Sequence, residues 1–577
     1  MKFSLVLKRI LKYTKPHRMY IALALIFAVG SVILGLFVPV LTGNAIDHIV
    51  EKGNVDFEAV MIIIIKMIII ILMSALFQWL LSYCTNCLAF KTVRDIRADA
   101  HQKLNNAPLS AIDPMSRGDV VGRMINDAEQ ISTGLLQGFT QLFTGVVTIV
   151  STIVFMLFTN VWLALVVILL TPLSFFTAST ISKKIHSRFI KQAQIQGELT
   201  GFAEEMIGNQ KTVKAFCYEE SAQRRFDEIN QRLNKAGVMA QFSAAISNPT
   251  TRFVNACVYA AVGIVGSFLA LGGGLSIGHL SMFLSYAHQY TKPFNEISGV
   301  ITELQSAFAG AERVFEIIDT EQLEDESAKP ELSDVDGDME IENVSFSYNP
   351  KISLIENFNL SVKSGQRVAI VGPTGCGKTT FINLLMRFYE TCGGNISVDS
   401  QNIKSVTRDS LRRNFGMVLQ ETWVFTGSVR ENLAFAKPDA TDEEIVAAAK
   451  MAHAHSFIRK LPEGYDTLIS EDGEEISQGQ KQLLCIARLM LLMPPMLILD
   501  EATSSIDTRT EQRIQRAFAK IMKGKTSFVV AHRLSTVRNA DIILVMNKGK
   551  IIEQGNHEEL MNKGGFYANL YESQFER

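Results

Sequence analysis

Long stretches without a charged residue dominate the first half of this chain and vanish from the second. Residues 19–46, 130–182 and 253–291 carry no Asp, Glu, Lys or Arg, and 59–90 carry only Lys66. No comparable gap follows residue 330. A helix crosses a bilayer with about 20 mainly apolar residues, so the first two gaps each hold one span, at 20–41 and 60–83. The gap 130–182 is too long for one helix. Asn160 separates its apolar runs at 135–158 and 161–181, which predicts two spans joined by a tight turn. Gly272, Gly273 and Gly274 divide 253–291, and three glycines favour a turn, so spans are expected at 252–271 and 279–308. Buried helices of a soluble protein would require several members with no polar face. Six membrane spans are the simpler reading.

Orientation follows from the basic residues beside the spans. Lys2, Lys8, Arg9, Lys12, Lys15 and Arg18 precede the first span with no acid among them, whereas Asp47, Glu51, Asp56 and Glu58 follow it against Lys52. The N-terminus is therefore expected in the cytoplasm, and six spans return the C-terminus there. Phe3, Leu7, Ile10 and Leu11 recur at helical spacing among basic residues, the pattern of a short amphipathic helix at the inner surface. The stretches 85–134 and 183–251 are rich in charge and helix formers, so membrane helices should run on into the cytoplasm and bend back. Lys66 is expected to snorkel outward or face the bundle, with substrate contact as a competing role.

Composition adds less. The chain has 577 residues, 47% hydrophobic and 20% charged, with a net charge of -2. At about 150 residues per domain, length alone suggests about four domains. The charge gives no case for nucleic acid as a partner. Seven scattered cysteines make no disulfide framework, and Cys84 and Cys87, despite their spacing, read as ordinary helix residues.

The second half carries the chemistry. An acidic stretch at 321–338 reads as a linker, leaving 1–320 as a transmembrane domain and 339–577 as a nucleotide-binding domain. The apolar run 367–371 leads into Gly372, Pro373, Thr374, Gly375, Cys376, Gly377, Lys378, Thr379 and Thr380, followed by a helical run to Tyr389. Strand, glycine loop and helix are the setting of a phosphate-binding loop. Its backbone N–H groups would cradle phosphates, Lys378 would supply a cation, and the Thr379 hydroxyl would bind Mg²⁺. Cys376 reads as a small loop residue rather than a redox switch. A second apolar run, 496–499, ends in Asp500 and Glu501, placing Asp500 to hold Mg²⁺ and Glu501 to polarise the attacking water. The fold class expected is thus an α-helical membrane domain plus an α/β P-loop ATPase domain.

With these motifs the chain resembles the ATP-binding cassette (ABC) exporters, as a half-transporter with six spans and one cassette. The resemblance implies further roles. Tyr348 would stack on adenine. Gln420 would sense the γ-phosphate side, approach Mg²⁺ and couple to the membrane domain. Ser477, Gln478, Gly479 and Gln480 would form the signature loop that clamps a partner chain's ATP. Asp507 would lie on the loop that crosses the dimer interface, and His532 would be the switch histidine beside Lys378 and Glu501. Gly118, Asp119, Asn126 and Asp127 match a recurrent pattern after the second span, and Glu204, Glu205, Val213, Lys214 and Phe216 match another. The reversals at 108–114 and 204–214 would be coupling helices. Independently, Ser477 and Gly479 open a helix whose N–H groups suit phosphate, yet the phosphate loop lies elsewhere. Such a surface is useful when a second cassette brings its nucleotide, which argues for a dimer.

Two departures from the family pattern matter. Gln478 stands where the signature has its first glycine, and Asp472, between Glu471 and Gly473, stands where an arginine is usual. With Glu501 and His532 intact, this resembles one subunit of heterodimeric exporters, a homodimer that tolerates Gln478 being the alternative. The implied function is ATP-driven efflux of hydrophobic or amphipathic substrates such as drugs or lipids, from a bacterial inner membrane. A non-transporting ATP-gated regulator or channel, and a peptide exporter, are the competing classes. His288, Gln289, Lys292, Asn295 and Glu296 cluster on the last span, either as a polar patch in the pathway or as helix-to-helix contacts.

Overall fold

The structure is a computed structural model. It describes residues 3–49, 55–349, 351–419, 422–470, 475–500, 506–530 and 537–575, and of 3, 171–186, 247, 248, 251, 294–299, 301, 302, 574 and 575 the backbone alone. The chain forms two compact units rather than the four that length suggests. One comprises Met1–Asn105 and Met115–Thr320, the other Asn106–Pro114 and Glu321–Arg577.

The first unit is helical. In chain order its helices are α1 (Phe3–Thr14), α2 (Arg18–Asp47) and α3 (Phe57–Asn105); α4 (Leu109–Ile112) then lies in the second unit, and α5 (Arg117–Gly122), α6 (Ala128–Thr159), α7 (Val161–Gly208), α8 (Gln210–Ala215), α9 (Glu219–Leu271) and α10 (Ile277–Ile318) follow. The six expected spans fall inside α2, α3, α6, α7, α9 and α10. Among the described residues, Ser4–Asp47, Phe57–Asn105, Arg117–Thr159 and Arg252–Leu271 are long and apolar enough to cross a membrane, and α7 adds a shorter apolar stretch, Val161–Leu170. α9 has 53 residues. At about 1.5 Å per residue it is about 80 Å long, far beyond the roughly 30 Å of hydrocarbon, so the helices do continue past the bilayer.

Local chemistry sets the reversals. The Asn160 side chain accepts from the Leu163 N–H at 3.2 Å and caps α7, while Gly273 takes φ +74° between α9 and α10. α6 and α10 meet closely at Gly134, where an added Cβ would lie 2.3 Å from that of Ala307. Small residues at such crossings let membrane helices pack. Farther along this pair, Arg313 donates to the buried Asp127 at 2.5 and 2.6 Å. Lys66 is exposed on α3, not turned into the bundle.

α1 uses its faces differently from the sequence expectation. Val6 and Ile10 are buried, Arg9 lies 4.3 Å over the Phe315 ring and pairs with Asp319, and the Tyr13 hydroxyl donates to Asp99. The protein-facing stripe is Val6, Ile10 and Thr14, whereas Leu7 and Leu11 are exposed. Helical spacing alone does not say which of two adjacent apolar stripes meets protein.

The second unit carries two main sheets. Strands β1 (Met339–Phe346), β2 (Ile355–Val362), β3 (Arg367–Val371), β4 (Gly393–Val398), β5 (Gln401–Asn402), β6 (Phe415–Val418), β7 (Gly427–Ser428), β8 (Leu468–Ile469), β9 (Met496–Asp500), β10 (Thr526–Val530), β11 (Ile542–Asn547) and β12 (Lys550–Gly555) occur in that order. A four-stranded sheet runs β2-β1-β4-β5, and a six-stranded sheet runs β12-β11-β3-β10-β9-β6. In the larger sheet β11, β3, β10, β9 and β6 are parallel and β12 closes the edge antiparallel. β3 and β9 are nearly continuous buried apolar runs and β10 is buried along its whole length, as strands covered on both faces require.

α11 (Lys378–Leu385) follows β3, and α12 (Arg408–Arg413) precedes β6. A second apolar cluster, separate from the one around β1–β4 and α11, gathers α13 (Val429–Ala434), α14 (Asp442–Met451), α15 (His455–Ile458), α16 (Gln478–Leu492) and α17 (Thr508–Ile521).

The acidic stretch 321–338 is not a free tether. Leu332 is buried in the core of this unit, and the N–H groups of Asp336, Gly337 and Asp338 all donate to Asp399. Glu326 pairs with Arg387 at 2.9 Å and Arg408 at 2.6 Å, with all three side chains almost covered. Burial alone would raise the Glu326 pKa, but the Arg408 N–H, Lys329 and the two guanidinium groups outweigh it and hold the carboxyl below its usual range. A depressed carboxylate contributes stability above its unfolded pKa, and that contribution is lost as pH falls through its folded value. Glu326→Gln is therefore expected to destabilise this unit by about 1–3 kcal/mol at pH 7, since it leaves Arg387 and Arg408 to share the carboxylate of Glu390. Wild type and variant should converge only once the pH falls below that depressed pKa, where Glu326 is protonated in the folded state as well. Thermal unfolding across pH reads both effects, and equal melting temperatures at pH 7 would refute the anchoring role.

Candidate nucleotide site

β3 ends at Val371, and the chain then wraps a tight loop into α11. Gly375 and Gly377 take φ +78° and +106°, conformations that residues with a Cβ rarely adopt. Gly377 caps α11 in the left-handed region, so the N–H groups of the following turn open toward the loop. Lys378 Nζ donates to the Gly372 carbonyl at 2.8 Å and that of Pro373 at 3.1 Å, which holds the ammonium across the loop. Thr379 is exposed at the start of α11, whereas Thr380 is buried and accepts from the Tyr348 hydroxyl at 3.3 Å. Cys376 is buried and serves as packing. Pro373, Thr374 and Gly375 form the exposed rim. A helix N-terminus under a loop of inward N–H groups is an anion site, so these residues fit a nucleotide's phosphates.

Sheet topology brings Asp500 toward this loop. Asp500 ends β9, paired with Val530 at the end of β10, and β10 is the neighbour of β3. Gln420, Glu501 and His532 lie outside the described residues, as do Glu471, Asp472 and Gly473. The strands before the first three in sequence, β6, β9 and β10, run parallel to β3 and finish at the same edge. Ligands of open parallel sheets bind at that carboxyl edge. Among the described residues no group of three or more His, Cys, Asp or Glu could hold a metal. Mg²⁺ in a phosphate site needs only a carboxylate or hydroxyl besides phosphate and water, and Thr379 with Asp500 suits that.

Tyr348 projects from the end of β1 and packs edge-on against Phe346 at 4.9 Å and Tyr389 at 5.0 Å. The Tyr389 hydroxyl in turn donates to Asp113, just after α4. Burial and the Asp113 carboxylate push the Tyr389 pKa up, so the phenol stays a donor throughout the physiological range. The Leu323 N–H donates to the Asn106 carbonyl at 3.0 Å, fastening the other end of the Asn106–Pro114 segment. Sequence reasoning missed Tyr389 and Asp113. A tyrosine closing an apolar helical run, and an acid between Pro108 and Pro114, carry no signal until the fold joins them.

The signature candidates sit apart from the phosphate loop, at the N-terminus of α16. Ser477 caps the helix, accepting from the Gln480 N–H, while Gln480 accepts from the Ser477 N–H at 2.8 Å. The Ser477 hydroxyl proton remains free to donate outward. Gly479 is pressed against α17, where an added Cβ would lie 2.6 Å from Thr510 and 2.9 Å from Ile506. Gln478 has room, and its amide donates to the Thr422 hydroxyl at 2.9 Å, tying the signature to the segment after β6. Asp507 caps α17, accepting from Arg509 and Thr510 at 3.1 and 2.9 Å, and these N–H bonds lower its pKa. Packing therefore demands glycine at 479 but not at 478. Gly479→Ala is expected to cost about 1–3 kcal/mol through overpacking and Gln478→Gly less than about 1 kcal/mol. Scanning calorimetry of both variants checks the order, and a more damaging Gln478→Gly would reverse the assignment.

Comparison with known proteins agrees with this geometry. Residues 21–294 match the ABC transporter transmembrane region and 355–504 match the ABC transporter family. The chain is 38% identical over 572 residues to the uncharacterized ABC transporter ATP-binding protein YfiC of Bacillus subtilis, covering 99% of this chain and 94% of that one. It is 40% identical over 523 residues to a fatty acid ABC transporter ATP-binding/permease protein of Mycobacterium bovis, covering 91% and 83%. Its fold matches the structure of a bacterial Atm1-family ABC exporter with ATP bound, at TM-score 0.80 and 28% identity over 97% of this chain and 98% of that one. With a helical membrane unit and a phosphate-loop cassette on one polypeptide, this protein belongs to the ABC transporters, as an ATP-hydrolysing exporter embedded in the membrane.

Proposed function

We propose that the transporter exports hydrophobic or amphipathic molecules, drugs or lipids, from the cytoplasm or inner leaflet of a bacterial inner membrane, with both termini cytoplasmic. The observation that carries the ATP-driven part of this reading is the convergence of β3, β6, β9 and β10 on the Lys378 loop. ATP would stack its base on Tyr348 and seat its phosphates on Gly372–Thr380, with Mg²⁺ held by Thr379, Asp500 and Gln420. When bound, Mg²⁺ neutralises charge on the phosphates. Glu501 would orient the attacking water and His532 would support the γ-phosphate. The charge of the basic N-terminus supports the orientation, and the fatty acid transporter among the relatives supports an apolar cargo.

Closure would couple to the membrane helices through α4, whose Asp113 takes the Tyr389 hydrogen bond, and through α8, flanked by exposed Ile207, Phe216 and Tyr218. A ligand shifts such an equilibrium only through unequal affinity for the two states. ATP does so when Ser477, Gln478, Gly479 and Gln480 of one cassette close on the nucleotide of another. Glu501→Gln is expected to keep ATP affinity within about threefold yet lower turnover at least about 100-fold, the scale of positioned proton transfer. Vesicle ATPase and nucleotide-binding assays read this, and unchanged turnover would remove Glu501 from the catalytic role.

The occupied space at 478 supports a heterodimer, in which this chain's phosphate loop meets an intact signature on a different half-transporter. Purified alone, the chain should hydrolyse ATP at a small fraction of the rate reached with its partner. Vigorous turnover by the lone chain would establish a homodimer instead.

A further inference from the structure

In the membrane unit, α3 and α6 line a half-open recess of about 310 Å³ bordered by Ser82, Thr85 and Asn86 of the first helix and Gln137, Thr140 and Gln141 of the second, with Leu136 its one apolar member. It sits where the second expected span ends and the third begins, on the side assigned to the cytoplasm. Six polar side chains at one level of a membrane helix pair are costly unless paired or used. Pairing accounts for half of them. Thr140 donates to Thr85 at 3.2 Å, Thr85 to the Leu81 carbonyl and Ser82 to that of Gln78. The amides of Asn86, Gln137 and Gln141 have no partner among the described residues. Together they offer carbonyl acceptors and N–H donors toward one space.

No charged side chain lines this space. Lys91, farther along α3, is engaged at 2.7 Å by the Tyr20 hydroxyl. An ionised group entering the recess would shed water without gaining a counter-charge, which is strongly unfavourable. A hydroxyl or amide would exchange water for the three amides at little cost. The volume stands at the small end of ligand pockets, which run from roughly 300 to 1,000 Å³. It holds a headgroup rather than a whole amphiphile. A tail would be left to the exposed stripe of Leu142, Val146 and Val150 on α6.

We propose that this recess is a headgroup subsite for amphiphiles whose head is uncharged and hydrogen-bonding, a hydroxyl, amide or sugar group rather than a carboxylate or ammonium. The inference rests on the export reading and narrows its substrate class. The test measures ATPase stimulation of the assembled transporter in liposomes by 1-oleoylglycerol, oleate and oleylamine, which share a similar chain. The neutral compound should reach half-maximal stimulation at about tenfold lower concentration, the effect of one or two net hydrogen bonds. Gln137→Leu with Gln141→Leu should erase that preference while leaving basal ATPase and melting temperature unchanged, and Gln141→Asn should keep most of it. Equal potency of oleate, or a preference that survives the double variant, would overturn the subsite while leaving export intact. No response to any of the three would overturn amphiphile export and the subsite together.

Discussion

Hydrocarbon leaves no water to pair with backbone N–H and C=O groups, and that constraint organises the whole molecule. Each crossing must be an unbroken helix. Once the helices are continuous they need not stop at the interface, and α3, α7 and α9 run for 48 to 53 residues. Their reversals are carried well away from the membrane. α4 lies at one such reversal, and its residues belong to the cassette unit rather than to the helices on either side. The same requirement that makes the spans rigid thus delivers a short piece of the membrane polypeptide to the nucleotide-binding unit.

Within that unit, one sheet edge concentrates the chemistry. Parallel strands place all their carboxyl ends on one side, so any loop leaving β3, β6, β9 or β10 emerges there. The glycine loop and Asp500 need no long-range contacts of their own to gather. The signature obeys a different logic. It opens α16, within a separate apolar cluster, and in the proposed mechanism its exposed hydroxyl would meet a phosphate that another cassette supplies.

Much of this was legible because it depends on local or strictly periodic features. Charge-free runs, Asn160 and the three glycines located the spans, and the glycine loop between an apolar strand and a helix located the phosphate site. What escaped depends on which surfaces meet. The stretch 321–338 looked like a linker because acids and small residues predominate, yet Glu326 answers Arg387 and Arg408, which are distant in sequence. In α1 the sequence picked out Phe3, Leu7, Ile10 and Leu11, whereas packing against Phe315 and Asp99 turns Val6 and Ile10 inward. Gln478 read as a departure from the signature pattern, of the kind seen in one subunit of heterodimeric exporters. Its bond to Thr422, and the crowding that makes Gly479 indispensable, belong to tertiary structure.

The contacts from Tyr348 to α4 also bound how nucleotide binding can reach the membrane helices. An edge-on aromatic pair is worth about 0.5–1.5 kcal/mol, and a hydrogen bond to a carboxylate about 1.5–3 kcal/mol. Moving a two-state equilibrium from one extreme to the other takes about 5.5 kcal/mol of differential binding. The Tyr348, Tyr389 and Asp113 chain falls short of that even if both links were made in one state and fully broken in the other. The proposed mechanism draws most of the switching free energy from closing the signature of one cassette over the nucleotide of the next, where several charge-assisted bonds would form together. In the proposed mechanism the aromatic chain is better suited to reporting a bound base than to driving the transition, and the cassette dimer supplies the rest.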